Sequence, residues 1–114
     1  MGNNKNTNIK QLAKHLKENP DDSFTKFALA LELLKQNEVT KSRVLFESIL
    51  KNDPDYLGVY YHLGKLYEHT GYPDHAKELY SAGINVASKQ DNQRTKRELQ
   101  EALDVINTER DYDE

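Results

Sequence analysis

Cysteine and tryptophan are absent from this chain of 114 residues, and proline occurs only three times. Without cysteine the chain cannot form disulfides, thiolate metal sites or a cysteine nucleophile. No apolar run approaches the roughly 18 residues that a membrane-spanning helix needs. The formal net charge of −3 lacks the basic excess of a typical nucleic-acid-binding domain. We therefore expect neither a membrane nor a nucleic acid as a partner.

The N-terminal stretch MGNNKNTN contains no apolar segment of the kind that directs secretion. Gly2 follows Met1, but Asn6 occupies the place where a myristoylation signal has serine or threonine. We expect no export and no lipid anchor, so the predicted location is the cytoplasm.

Apolar residues recur with helical spacing along almost the whole chain. Near the C-terminus the i, i+3, i+4, i+7 pattern of one helix face is formed by Leu99, Ala102, Leu103 and Ile106. No segment shows the sustained alternation of apolar and polar residues that a half-buried strand would have. The sequence therefore predicts an all-α fold.

Short polar or proline-containing breaks divide this pattern, at Pro20, Asn37, Pro54 and Gly71–Pro73, with a weaker one near residues 89–92. Gly71 suits the left-handed position after a helix end. The breaks predict six helices, at about residues 7–18, 23–36, 40–52, 57–70, 73–88 and 93–107. They lie between a predicted disordered N-terminal tail, about 1–6, and a predicted acidic tail, about 108–114.

An internal repeat relates two parts of the chain, because Pro20 and Pro54 lie 34 residues apart and are each followed by aspartate. A displacement of 34 residues places similar residues on one another: Phe27 on Tyr61, Leu29 on Leu63, Ala30 on Gly64 and Phe46 on Tyr80. A fixed period of this length is typical of arrays of helical hairpins.

The repeated residues resemble the tetratricopeptide repeat family. Its pattern has an aromatic residue, Leu-Gly and Tyr in one helix, and Ala, an aromatic residue, a small residue and Pro in the next. The second repeat, residues 57–90, matches it with Tyr60, Leu63, Gly64, Tyr67, Ala76, Tyr80 and Gly83. The first repeat, residues 23–56, is degenerate, with Lys26 in the aromatic place and Ser42 in the alanine place.

The resemblance implies a helix-turn-helix superhelical array of about six antiparallel helices, in a single domain at residues 7–107. Residues 7–22 and 91–107 would cap its ends, since terminal repeats otherwise expose an apolar face. Gly64 and Gly83 would let the helices approach closely. A glycine inside a helix costs about 1 kcal/mol relative to alanine, so both call for a packing reason.

The resemblance also implies a non-catalytic protein–protein interaction module, because the first helix of each repeat in this family lines a concave peptide-binding groove. In the first repeat the corresponding residues are Phe24, Phe27, Leu31, Leu34 and Lys35. In the second repeat they are Gly58, Tyr61, His62, Lys65, Glu68 and His69. Lys35 and Lys65 would favour an acidic partner segment. The partner is a protein or peptide whose identity the sequence does not determine.

The groove residues of the first repeat are unusually apolar for a surface. Either the N-terminal helix or a second copy of the chain covers them, or they form an open peptide-binding patch. Self-association into a homodimer is therefore the alternative function. One subclass of the family binds a chaperone's C-terminal carboxylate, but the place of its characteristic asparagine holds Ala28 and His62, so we do not expect that ligand.

No catalytic arrangement is visible in the sequence. The glycines are scattered, no HExxH motif occurs, and Glu98 and Glu101 are interpreted as part of a solvated helix face. We expect no enzymatic activity, no cofactor and no metal. The remote alternative is a metal or catalytic site built on His62, His69 and His75.

Overall fold

The computed structural model describes the backbone of residues 4–113 and the side chains of residues 8–109. Over this range the chain forms six helices and no strand, which confirms the all-α prediction. The helices are α1 (Asn4–Glu18), α2 (Ser23–Lys35), α3 (Val39–Asn52), α4 (Gly58–His69), α5 (Pro73–Lys89) and α6 (Gln93–Asp113). Among the described residues, no helix combines the length and the apolar character needed to cross a membrane.

The helices belong to two compact units, Met1–Tyr56 and Leu57–Glu114. In the first unit α2 packs against α1 and α3, and in the second unit α5 packs against α4 and α6. The boundary lies at the start of the second predicted repeat.

The two repeats share one type of helix end. Gly71, after α4, has a φ of 91°, and Asn37, one period earlier after α2, has a φ of 61°. In each case the next residue donates its N–H to a carbonyl five residues back, over 2.8 Å from Tyr72 to Tyr67 and 2.9 Å from Glu38 to Leu33. This is the hydrogen bond of a Schellman motif, so the left-handed role predicted for Gly71 is confirmed.

Both residues of the first repeat that depart from the family pattern are buried and hydrogen-bonded. Ser42, which is fully buried, donates from Oγ to the Ala30 carbonyl over 2.9 Å. Lys26, only 5% exposed, donates from Nζ to Ser48 Oγ over 2.9 Å. Since a buried polar group is costly without a partner, these bonds explain how the core accepts both residues.

The core of the second unit depends on close contacts at two glycines. A Cβ atom on Gly64 would fall inside van der Waals contact of the Tyr80 ring. A Cβ atom on Gly83 would lie 2.7 Å from Tyr60 Cβ and 2.9 Å from Leu99 Cδ1. Both glycines therefore have the packing role that the sequence predicts, and α6 contributes Leu99 to the same core.

The helices extend into both predicted tails. α1 begins at Asn4, and α6 continues to Asp113 through the segment predicted as an acidic tail. Residues 93–113 contain no glycine or proline, and the charged residues Glu and Arg are good helix formers, so no local signal ends the helix at residue 107. Residues 1–3 of the predicted N-terminal tail lie outside the described residues.

Candidate functional site

Helix α4 presents most of its predicted groove residues on one face. Tyr61, Lys65 and Glu68 follow the i, i+4, i+7 spacing and are half-buried, while His69 at the end of the helix is exposed. Gly58 is the first residue of the helix. The predicted residues of the second repeat therefore form a largely continuous, partly accessible surface.

The aromatic ring of Tyr61 is held between neighbours. Lys65 Nζ lies 5.6 Å from the centroid of the Tyr61 ring, within the range of a cation–π interaction. The centroid of the Tyr80 ring lies 6.4 Å from that of Tyr61, and the His62 ring makes an edge contact at 5.8 Å. These contacts restrict the ring of Tyr61 before any partner binds.

Glu68 connects the surface of α4 to the core. Its Oε1 accepts a hydrogen bond of 2.9 Å from the Tyr80 hydroxyl and lies 3.8 Å from Lys65 Nζ. Burial, reinforced by the hydrogen bond to Glu68, raises the pKa of Tyr80 far above its usual range. Tyr80 is therefore a permanent neutral donor that holds Glu68, and through it Lys65, in place.

Burial also lowers the pKa of His62, which favours the neutral imidazole. His75 stacks on Tyr67 with the ring centroids 5.2 Å apart. Among the described side chains, no three His, Asp or Glu residues converge in a way that could hold a metal ion. The remote hypothesis of a metal site on His62, His69 and His75 thus gains no support from the geometry.

A groove of about 320 Å³ lies between α4 and α6 in the second unit. We name it the α4–α6 groove and define it by its lining residues, Tyr61, Lys65, Glu98, Glu101, Ala102 and Val105. Val105 remains 48% exposed at its edge. Tyr61 and Lys65 are predicted site residues, whereas the four residues of α6 are not.

The residues of α6 that line this groove carry a sequence signal that could have identified them. Glu98, Glu101, Ala102 and Val105 occupy positions i, i+3, i+4 and i+7, which share one helix face. Glu98 and Glu101 are exposed, as the predicted solvated face requires, and the same face also lies beside α4. Helical spacing identifies the face but not its neighbour.

The first unit repeats part of this arrangement. The ring centroids of Phe27 and Phe46 lie 6.0 Å apart, matching the pairing of Tyr61 with Tyr80 one period later. Phe27 also contacts the Tyr56 ring at 5.3 Å and is half-buried. Phe27 is therefore partly a core residue rather than a free surface anchor.

A second groove, of about 450 Å³, lies between α1 and α2. Its lining includes Leu31 and Lys35 from the predicted set and Leu12 from the N-terminal helix. Helix α1 thus lies beside the apolar α2 surface without filling it. Leu34 is half-buried and does not line this groove, and Phe24 is 69% exposed.

The lysines of the predicted site are already paired with carboxylates on their own helices. Lys35 Nζ lies 3.3 Å from Glu32 Oε1, and Lys65 Nζ lies 3.8 Å from Glu68 Oε1. Glu98 and Glu101 also line the α4–α6 groove. The charge in this groove therefore does not favour the predicted acidic segment, because each lysine has a carboxylate on its own helix and two further glutamates line the groove.

The chain is similar in sequence to tetratricopeptide repeat proteins. It is 44% identical to a tetratricopeptide repeat domain protein from Salinibacter ruber with a crystal structure, with a TM-score of 0.74 and coverage of 76% of this chain and 97% of that chain. A protein from Bordetella parapertussis with a solution structure shares the fold at 22% identity and a TM-score of 0.76, with coverage of 89% of this chain and 88% of that one.

A curated relative, a TPR repeat-containing protein from Methanocaldococcus jannaschii, is 37% identical over 78 residues, or 68% of this chain. This chain spans only 24% of the length of that relative. No protein-family model matches the chain.

Proposed function

Because the chain belongs to the tetratricopeptide repeat family, whose members are generally protein-interaction modules, we propose that it is a non-catalytic module that binds a segment of a partner protein. The proposed binding surface in the second unit is the face of α4 with the adjoining α4–α6 groove. Its predicted residues are Tyr61, His62, Lys65, Glu68 and His69.

The observation that carries this proposal is the restrained Tyr61 ring at the wall of an open groove. Aromatic residues tend to dominate the free energy of binding at interfaces. A side chain that is already restrained loses less conformational entropy on binding. The contacts of Tyr61 with Lys65 and Tyr80 supply this restraint.

The face of α2 is a separate candidate surface in the first unit. It comprises Phe24, Phe27, Leu31, Leu34 and Lys35, of which Phe24 is the most exposed. The α1–α2 groove beside Leu31 offers apolar contact to a partner segment. A cytoplasmic location and the absence of a cofactor remain predictions from the sequence.

The experiment first captures a partner protein from the source organism on the immobilised chain. The partner is then purified, and its binding to the chain is measured by calorimetric titration. The double variant Tyr61→Ala/Val105→Ser, which removes two apolar walls of the groove, should bind at least about tenfold more weakly, a loss of about 1.4 kcal/mol. The matched control is Val44→Ser, since Val44 is also an exposed valine, 54% accessible, but lies on α3.

Thermal unfolding of each variant separates lost binding from lost folding, and Val105→Ser alone provides a readout that leaves the Tyr61 contacts intact. If Val44→Ser abolishes binding while the groove variant binds like the parent chain, the surface proposed in the second unit is wrong.

Self-association is the second candidate function, favoured by the 69% exposure of Phe24 in the first unit. Sedimentation equilibrium of the purified chain would show a dimer that Phe24→Ser weakens. A monomer at all concentrations would reject this candidate.

A further inference from the structure

We propose that the α4–α6 groove selects a partner segment in which a basic side chain, arginine or lysine, stands next to an apolar one. This inference rests on the proposed function and names the chemistry of the partner.

The charge of the groove leaves one carboxylate uncompensated. Lys65 is paired with Glu68, and Glu98 Oε1 lies 3.5 Å from Arg94 Nε. Glu101 makes no hydrogen bond and no ion pair within the part of the chain that the structure describes. A basic side chain of a partner would complement Glu101, whereas an acidic one would be repelled.

The apolar surface of the groove adds a second requirement, for an apolar side chain beside the basic one. Val105, 48% exposed, lies one helical turn after Glu101 on the same helix face, whereas Ala102 between them is already buried. The ring of Tyr61 lines the same groove. An apolar side chain adjacent to the basic residue would cover these surfaces and remove them from water.

The size of the groove restricts the occupant to a short segment. Its volume of about 320 Å³ is near the lower end of the roughly 300–1,000 Å³ of ligand-binding clefts. This volume accommodates a few side chains of an extended or helical segment.

The experiment uses the full chain and three synthetic peptide libraries that differ only in one fixed pair: Arg–Leu, Glu–Leu or Arg–Ser. Fluorescence anisotropy at low and at physiological salt gives the dissociation constants. The Arg–Leu library should bind most tightly, and the difference from Glu–Leu should shrink as salt screens the charges.

Variants locate the charge preference. Glu101→Gln should weaken binding of the Arg–Leu library about threefold, which is the size expected of an exposed ion pair. The same variant should reduce the advantage of the Arg–Leu library over the Glu–Leu library. Glu101→Lys should make Glu–Leu the tighter library. The matched control is Glu78→Gln, which removes the same charge from an exposed position of α5 and should change nothing.

The outcomes separate this inference from the proposed function. If Tyr61→Ala/Val105→Ser loses the captured partner while Arg–Leu shows no advantage or Glu101→Gln has no effect, the charge selectivity is refuted and the interaction surface stands. If Glu78→Gln acts as strongly as Glu101→Gln, the preference reflects overall charge and the inference also fails. If neither the captured partner nor the libraries respond to groove variants, both are wrong.

Discussion

Replacing Gly64 with alanine tests whether the approach of the Tyr80 ring to α4 is a packing requirement of the second unit. A Cβ atom at this position would lie 2.8 Å from Cδ1 and 2.9 Å from Cζ of that ring. The ring cannot move away easily, because it is fully buried and its hydroxyl donates to Glu68. The added methyl group must therefore displace a helix or the ring.

Two opposing effects set the expected magnitude. Overpacking a well-packed core costs about 1–3 kcal/mol, and the upper end applies because the contact is with the body of a fixed ring. Alanine in place of a helical glycine stabilises the helix by about 1 kcal/mol, which offsets part of this cost. We therefore expect a net loss of about 2 kcal/mol in the free energy of unfolding, a fall of about 8 °C in Tm for a chain of this size.

Urea unfolding followed by far-ultraviolet circular dichroism measures this loss. The control Ala82→Gly, at an exposed position inside α5, isolates helix propensity and should cost about 1 kcal/mol. In a Tyr80→Leu background the ring is absent, so Gly64→Ala should become neutral or stabilising. If Gly64→Ala leaves the midpoint unchanged or raises it while Tyr80 is present, the reasoning about close approach is refuted.

Two further predictions concern polar groups that folding partly or wholly removes from water. Burial lowers the pKa of His62, so below the unfolded pKa of about 6.5 the unfolded chain binds more protons and stability falls. His62→Gln should show a smaller fall in urea midpoint on acidification, and an identical pH dependence would contradict this. Lys26→Met removes a buried ammonium group and retains its stem, so Tm should be unchanged or higher. A loss above about 2 kcal/mol would mean that the hydrogen bond to Ser48 outweighs the cost of burial.

The sequence alone was sufficient to predict the features that depend on local interactions or on the 34-residue repeat. Helical spacing predicted the six helices, and the 34-residue displacement predicted which residues occupy equivalent places. The structure bears this out in the ring pairs Phe27–Phe46 and Tyr61–Tyr80. The left-handed residue after α4 could be predicted from Gly71, because a residue without a side chain adopts positive φ without strain.

Only the tertiary structure decided which helix faces meet and which charges remain uncompensated. The spacing that predicted α6 could not show that Glu101 and Val105 line a groove with Tyr61. The pattern of residues within one helix does not identify which other helix packs against it. Nor could it show that Lys26 is buried against Ser48, since lysine is ordinarily a surface residue. Periodicity and capping act within a few residues along the chain. The groove depends instead on side chains about 40 residues apart in sequence, brought together by packing on a shared core.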